Sequence, residues 1–575
     1  MRSSRLVKAG WTAALSAAAL LVVAGCSSGG NPSTSPSNAQ SATTKVKSGG
    51  QITFALDEDV AGWNVLMADD SEFVLAEIMD QIWPQTFIID PDLKPHLNTA
   101  VATSAKLTKT NPQTVVYKIN PKAKWSDGTP ISAADYIYNW QAQSGNPKYK
   151  DKGGKAFIPA TTSGYNQIKS VTGSNGGKTV TVVFSKPYSD WKALFAPMIP
   201  AHVAKKVGFN SGFQTFNSAV KVSGGPYMLQ SYSKGEDVVE VPNPHYWGPK
   251  PKLSKQIYRF ILNDDQQPPA VQNGEANIVN PALVSTTFYQ SVKNIPNFNV
   301  QVLPGLEFQH IDFNQANPYL AKHAIRQAVA YCTNRPQMMQ RIVAPLGVKN
   351  LQPLQNRIWM PTQPQFKDTS NGLGAYNPSK GKQLLQQAGM KMGSDGYFQP
   401  NFGPQKGKDF TLGISTTSGV PVRSQIEELF KASEKNCGIK INIQNYDANK
   451  LFGTVGPKGE FDMIEFAWVQ SPFPSGNQSI YCSYTNTNVC GSNWDHYADP
   501  QVDKLFNKAL TNVNTTQAAQ QYNQIDSILW KDMATLPLFQ QPQLFGWSAN
   551  YGNIIPNTSS TGLPWNANQW GVSSQ

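Results

Sequence analysis

Two hydrophobic periods alternate along this chain, and their alternation limits the folds open to it. Gly50-Gln-Ile-Thr-Phe-Ala-Leu56, Val115-Val-Tyr-Lys-Ile119 and Thr179-Val-Thr-Val-Val-Phe184 carry the two-residue period of a strand. Residues 71–82, 323–330, 379–388, 422–436 and 517–533 carry the 3.6-residue period of a helix. Strand and helix signals mix from end to end, so the chain is α/β or α+β, and no internal repeat is visible. Its 575 residues exceed one ordinary core, and 40% hydrophobic residues can fill several.

The amino terminus sets the compartment. Arg2, Arg5 and Lys8 precede an apolar run, Trp11 to Ala24, that is too short for a comfortable membrane span and reads as a secretory signal. The run ends in Leu21-Val-Val-Ala-Gly-Cys26, which resembles the lipobox of bacterial lipoproteins. That resemblance implies residues 1–25 as signal peptide, lipidation at Cys26 and a lipid-anchored protein on the outer face of the cytoplasmic membrane. Residues 26–49 are rich in Ser, Thr, Asn, Pro and Gly and read as a flexible tether. Without Arg2, Arg5 and Lys8, 49 basic residues become 46 against 37 acids, a net charge of +9. The basic residues are scattered, so a solvated basic surface is expected and no nucleic-acid partner. Export favours disulfides. Beyond Cys26 four cysteines allow three pairings; Cys482 and Cys490 bracket a short polar loop and are expected to pair, and Cys332 and Cys437 are expected as buried free thiols.

The stretch Ala123-Lys-Trp-Ser-Asp-Gly-Thr-Pro-Ile-Ser-Ala-Ala-Asp-Tyr-Ile-Tyr-Asn-Trp140 reads as scaffold. Asp127-Gly128 is a turn dipeptide, and Thr129-Pro130 keeps the chain extended. Ser132 and Asp135 have capping-box spacing, which starts a helix at Ala133. A catalytic Asp127 would need a partner, and no His, Cys or second carboxylate lies near it in sequence.

The same stretch resembles a signature of the solute-binding proteins of peptide-, oligopeptide- and nickel-type ABC importers. Further similar elements follow in order: Gly224-Gly-Pro-Tyr227, Asn243-Pro-His-Tyr-Trp-Gly248, Ala270-Val-Gln-Asn-Gly-Glu-Ala-Asn-Ile278, Ile325-Arg-Gln-Ala-Val-Ala-Tyr331 with Asn334-Arg335, Tyr376-Asn-Pro-Ser-Lys380, and Tyr497-Ala-Asp-Pro500. The resemblance implies a two-lobed periplasmic-binding-protein-like (type II) α/β fold with a small extra domain inserted in lobe one. By motif, residues 50–84, 222–312 and 535–575 form lobe one, 85–221 the insert and 313–534 lobe two. The lobes would cross, as a hinge, at Phe313-Asn314 and Leu536-Pro537. A peptide or peptide-like solute would be held between them and delivered to an importer permease by a monomer.

Other motifs fail. Thr172-Gly-Ser-Asn-Gly-Gly-Lys-Thr179 has the wrong spacing for a phosphate loop and precedes a strand, so it reads as a hairpin turn. Gly413-Ile-Ser-Thr-Thr417 lacks the second glycine of a Gly-x-Ser-x-Gly nucleophile turn, and six dispersed histidines make no ligand pair, so no catalytic residue, metal or cofactor is expected. Cleft candidates are Trp63, Asn64, Trp468, Gln470, Ser471 and Phe473. Peptide binders of the family carry an Asp that holds the peptide amine where this chain has Ser471, a neutral hydroxyl. Asp57, Glu58, Asp59, Asp69, Asp70 and Glu465 are the acids that could substitute, each otherwise a surface acid. The alternatives are the same scaffold binding an oligosaccharide, opine or metal chelate, and, remotely, an exported hydrolase.

Overall fold

The computed structural model describes residues 44–70, 73–484 and 490–574. The signal peptide, Cys26 and the tether up to residue 43 lie outside them. Residues 44–49 were expected in the tether, but Val46 and Lys47 pair antiparallel with Ser573 and Val572, and the Ser574 N–H donates to the Lys45 carbonyl at 2.9 Å. Backbone groups with ladder partners are fixed, so residues 45–47 belong to the folded body.

Ten strands make one sheet. In chain order they are β1 (Gln51–Leu56), β2 (Tyr227–Ser233), β3 (Asp237–Pro242), β4 (Lys255–Phe260), β5 (Ile278–Val279), β6 (Phe298–Phe313), β7 (Thr411–Ser415), β8 (Lys440–Ile443), β9 (Met463–Val469) and β10 (Thr535–Ser548). Their spatial order is β8-β7-β9-β6-β10-β5-β1-β4-β3-β2. In lobe one β1 runs parallel to β4 and β5; in lobe two β7 runs parallel to β8 and β9. The long antiparallel pair β6 and β10 serves both lobes.

The ladder between β6 and β10 is regular from Phe298↔Ser548 to Pro304↔Pro542, breaks, and resumes from Phe308↔Gln540. Neither facing proline has an N–H to donate. Beside them, a Cβ on Gly305 would stand 2.8 Å from the Gln541 carbonyl oxygen, so only glycine fits there. The ladder is thus interrupted at residues 304–308 and 540–542, whereas the residues expected at the hinge pack within lobe two. Phe313 and Leu536 are fully buried in its core, Pro537 pairs with His310, and Asn314 donates to the Gly459 and Phe461 carbonyls.

The insert is a four-stranded antiparallel sheet, Ala102–Thr110, Gln113–Ile119, Thr179–Phe184 and Ile168–Ser174 in spatial order, with helix Ala133–Gln143 against it. The capping box forms as expected: Ala134 N–H donates to the Ser132 hydroxyl and Ser132 N–H to the Asp135 carboxylate at 2.9 Å. Trp125 and Tyr136 from the insert, and Trp83 and Tyr227 from lobe one, belong to one apolar cluster, so the insert shares the lobe's core. Asp127 does gain a histidine, His202 Nε2 at 2.6 Å, which sequence proximity missed.

Lobe two is built around Ile311, Phe313, Ile325, Phe430, Met463 and Leu538. Arg335 of the Asn334-Arg335 motif is structural, donating to the Leu354, Pro537 and Gly374 carbonyls. Cys332 and Cys437 are not free thiols. They form a disulfide, because helix His323–Cys332 ends opposite the turn that follows helix Pro421–Asn436, with Cα atoms 5.9 Å apart. Cys482 is bonded to Cys490, and residues 485–489 between them lie outside the described residues.

Candidate functional site

Open parallel sheets place ligands beyond the carboxyl ends of their strands. Here those ends converge on the broken crossing. Val469, at the end of β9, pairs with Glu307 just past the break in β6, and Val279, at the end of β5, pairs with Gly546 of β10. Leu262 after β4 and Val469 at the end of β9 are 60% and 59% exposed, an apolar residue on the edge of each lobe with no cover. The insert also reaches lobe two: Tyr188 Oη lies 2.9 Å from Ser475 Oγ, Ser475 N–H donates to Asp190, and Ser189 N–H donates to the Leu510 carbonyl.

The structure separates the sequence-predicted cleft residues. Trp63 and Asn64 are buried in lobe one. Trp63 packs on Phe216 and Tyr232, and Asn64 donates to the Phe209 carbonyl while its N–H is taken by Asp70. Their place is the joint between the first strand's loop and residues 209–216, a long-range packing that periodicity does not reveal. Gln470 is also buried, donating to the Arg357 carbonyl and Asn477. The Ser471 hydroxyl closes a turn, accepting from Phe473 N–H and donating to its carbonyl. Trp468 is half-buried, stacked at 23° on the buried His310 and against Phe466 and Trp494. Trp468 stands opposite Phe308 of β6, next to the break, and the turn of Ser471 and Phe473 follows it in the chain.

The candidate acids divide similarly. Asp70 accepts from Asn64 N–H and Gln214, and Asp59 accepts from Tyr232 and Gly235 N–H, so both hold lobe one together. Asp57, beyond β1, accepts from Ala282 N–H, and burial raises its carboxyl above the usual range. Asp264 beyond β4 is pushed up to about 6 by burial and then by the charges of Asp57 and Asp265. Glu465 is fully buried and not on the surface. It accepts from the Thr416 hydroxyl at 2.8 Å and is pushed up to about 7 chiefly by burial, against the pull of Arg423.

Sequence reading missed the neighbours of Glu465. Glu307, on β6, and Glu427, in helix Pro421–Asn436, are also pushed up to about 7 by burial. Asn445 joins the group, donating to Glu427 and accepting from Thr416 N–H, while Arg423 donates to the Thr417 hydroxyl. A signal existed: Glu307, Gln309 and His310 put three polar side chains within Leu306-Glu-Phe-Gln-His-Ile311, a strand flanked by apolar residues. A separate cavity of about 480 Å³, lined by Asn314, Asn442, Tyr446 and Asp462 among others, lies on lobe two. Its Asp462 is occupied by Gly413 N–H and Asn317. Among the described residues no group of three His, Cys, Asp or Glu side chains is placed to hold a metal ion.

Comparison with known proteins agrees with this architecture. The family described as bacterial extracellular solute-binding proteins, family 5 Middle, is matched over residues 96–489. The oligopeptide-binding protein OppA of Mycobacterium tuberculosis is 29% identical over 567 residues, covering 94% of this chain and 90% of that protein. Among solved structures, a periplasmic EDTA-binding protein, EppA, superimposes with a TM-score of 0.85 at 26% identity, covering 93% of this chain and 99% of that one. The oligopeptide-binding protein AppA from Bacillus subtilis in complex with a nonapeptide gives 0.75 at 20% identity, covering 92% and 100%, which speaks for the fold alone.

Proposed function

The chain belongs to the family-5 bacterial extracellular solute-binding proteins, and from that premise we propose that it captures a peptide or peptide-like solute between its lobes and hands it to an ABC importer. One observation carries the reading. Two lobes joined through β6 and β10 at a broken ladder can close, and their facing strand ends expose apolar side chains, Leu262 and Val469, that a ligand would cover. The similarity to an oligopeptide-binding protein along nearly the whole length supports peptide as the cargo. An extended peptide would be held through its backbone by strand ends and loops, with Trp468 and Phe473 covering side chains. This is binding without chemistry, by a monomer tied to the membrane through lipid on Cys26. The resemblance to an EDTA-binding protein supports a second reading, a metal chelate, which the acids along both lobe edges disfavour because such chelates are commonly anionic. Titration calorimetry with pools of peptides of three to nine residues, and separately with metal–EDTA complexes, tests the two. Peptide binding with a fall in radius of gyration by X-ray scattering is expected; binding of the chelate and not of any peptide would overturn the reading.

A further inference from the structure

One face of the sheet beside the crossing holds buried acceptors that the fold leaves unused. The register Glu307↔Val469, Gln309↔Ala467 and Ile311↔Glu465 puts Glu307 and Gln309 of β6 on the same face as Glu465 of β9. Ala467, with only a methyl group, stands between Val469 and Glu465 on that face. Gln309 and Glu465 are 0% exposed. Gln309 spends its amide nitrogen on Gln541 at 3.3 Å, which leaves its carbonyl oxygen Oε1 without a partner. Glu465 spends Oε2 on Thr416, which leaves its Oε1 without a partner. Glu307, two residues along from Gln309 and next to the break, is partly exposed, so the group is not sealed from solvent at that end. All three positions offer acceptors, and a buried acceptor without a donor is costly unless something arrives to fill it.

Arg423 does not fill it. Its charge is felt by Glu307 and Glu465, but it donates Nη1 to Thr417 Oγ1 at 2.7 Å, its Nε is itself buried without a partner, and no ion pair joins it to either acid. The chemistry that fits several acceptors on one face is a cation with several donors, such as an ammonium with three.

We propose that Glu465, Gln309 and Glu307 form a pocket for a cationic group of the bound solute, an ammonium or guanidinium, and so take over the anchoring that Ser471 cannot provide. The proposal rests on the reading of a peptide held between the lobes and names which peptides are preferred. It also accounts for carboxyls held near 7 beside the crossing: an arriving cation returns them to the ionised form, with Arg423 and Glu427 as the other charged groups facing them.

Matched synthetic peptides test it by calorimetry: free-amine pentaalanine, its acetylated form, and acetylated pentapeptides with central lysine or norleucine. Wild-type protein is expected to bind the two cation-bearing peptides at least tenfold tighter than the two without, with proton release detected by comparing two buffers. In Glu465→Gln and in Glu307→Gln the preference should fall below threefold, with affinity for the cation-free peptides changed less than threefold. Glu307→Gln, at the partly exposed position, decides the matter should Glu465→Gln lower the unfolding midpoint. Equal affinity for cationic and cation-free peptides, or a preference that survives in Glu307→Gln and in a folded Glu465→Gln, would overturn this proposal alone. Binding of no peptide at all would overturn the peptide reading and the proposal with it.

Discussion

Breaking the two disulfides separately should expose a large difference in what each contributes. Cys332 and Cys437 close a loop with a sequence separation of 105, and Cys482 and Cys490 one of 8. Taking stabilisation as loss of chain entropy in the unfolded state, the longer loop is worth about 4.8 kcal/mol and the shorter about 2.5 kcal/mol at 25 °C. All four sulfurs are buried, at most 3% exposed, so removing them to alanine costs similar packing in each pair, and the difference between the variants isolates the loop term. A gap of about 2.3 kcal/mol in a lobe of some 200 residues corresponds to about 5–9 °C. Differential scanning calorimetry of Cys332→Ala/Cys437→Ala and Cys482→Ala/Cys490→Ala is the assay. The first variant is expected to unfold at the lower temperature by that margin. Equal midpoints, or free thiols at 332 and 437 in peptide maps of the unreduced protein, would refute the reasoning.

Cys26→Ser should shift the protein from the membrane to the soluble envelope fraction or medium, read by fractionation and blotting, because no described helix is long and apolar enough to cross a membrane and one lipid would be the anchor. Carboxyls raised in the folded state stabilise it at low pH and cease to do so as pH climbs through the raised value. With Glu307, Glu427 and Glu465 at about 7, the unfolding midpoint should therefore fall between pH 4.5 and 7, and Glu427→Gln should flatten that slope in a thermal series. Trp468→Ala should weaken peptide affinity more than Ser471→Ala by calorimetry. The indole stacks over His310 at the lobe edge, whereas the hydroxyl is engaged with Phe473 and its loss costs about 1 kcal/mol of turn stability.

Local chemistry was legible in the sequence where one segment carries its own explanation. Ser132 and Asp135 announce the cap of helix Ala133–Gln143, and the period of residues 422–436 gives the helix that starts at Pro421. What periodicity cannot supply is the partner across space. Cys332 and Cys437 each sit on an apolar helix end that looks complete by itself, and only tertiary packing brings their Cα atoms to 5.9 Å. Trp63 and Asn64 were expected in the cleft, but Phe209, Phe213 and Phe216 arrive about 150 residues later to bury them. The interruption of the ladder was not visible because the strand runs on past it to Phe313. The informative residues were Pro304 and Pro542, and each reads as an ordinary strand proline until the two are seen face to face. Glu307, Arg423 and Glu465 likewise lie on three separate elements, so their convergence is a property of the fold.

The central claim is that a solute is enclosed between the lobes and that it is a peptide. Native mass spectrometry of the protein purified from its own membrane without unfolding, followed by fragmentation of whatever mass is released on denaturation, tests it most directly. The account predicts a released mass that fragments as a short peptide, with cation-bearing sequences enriched; release of a metal chelate or an oligosaccharide in its place would contradict it.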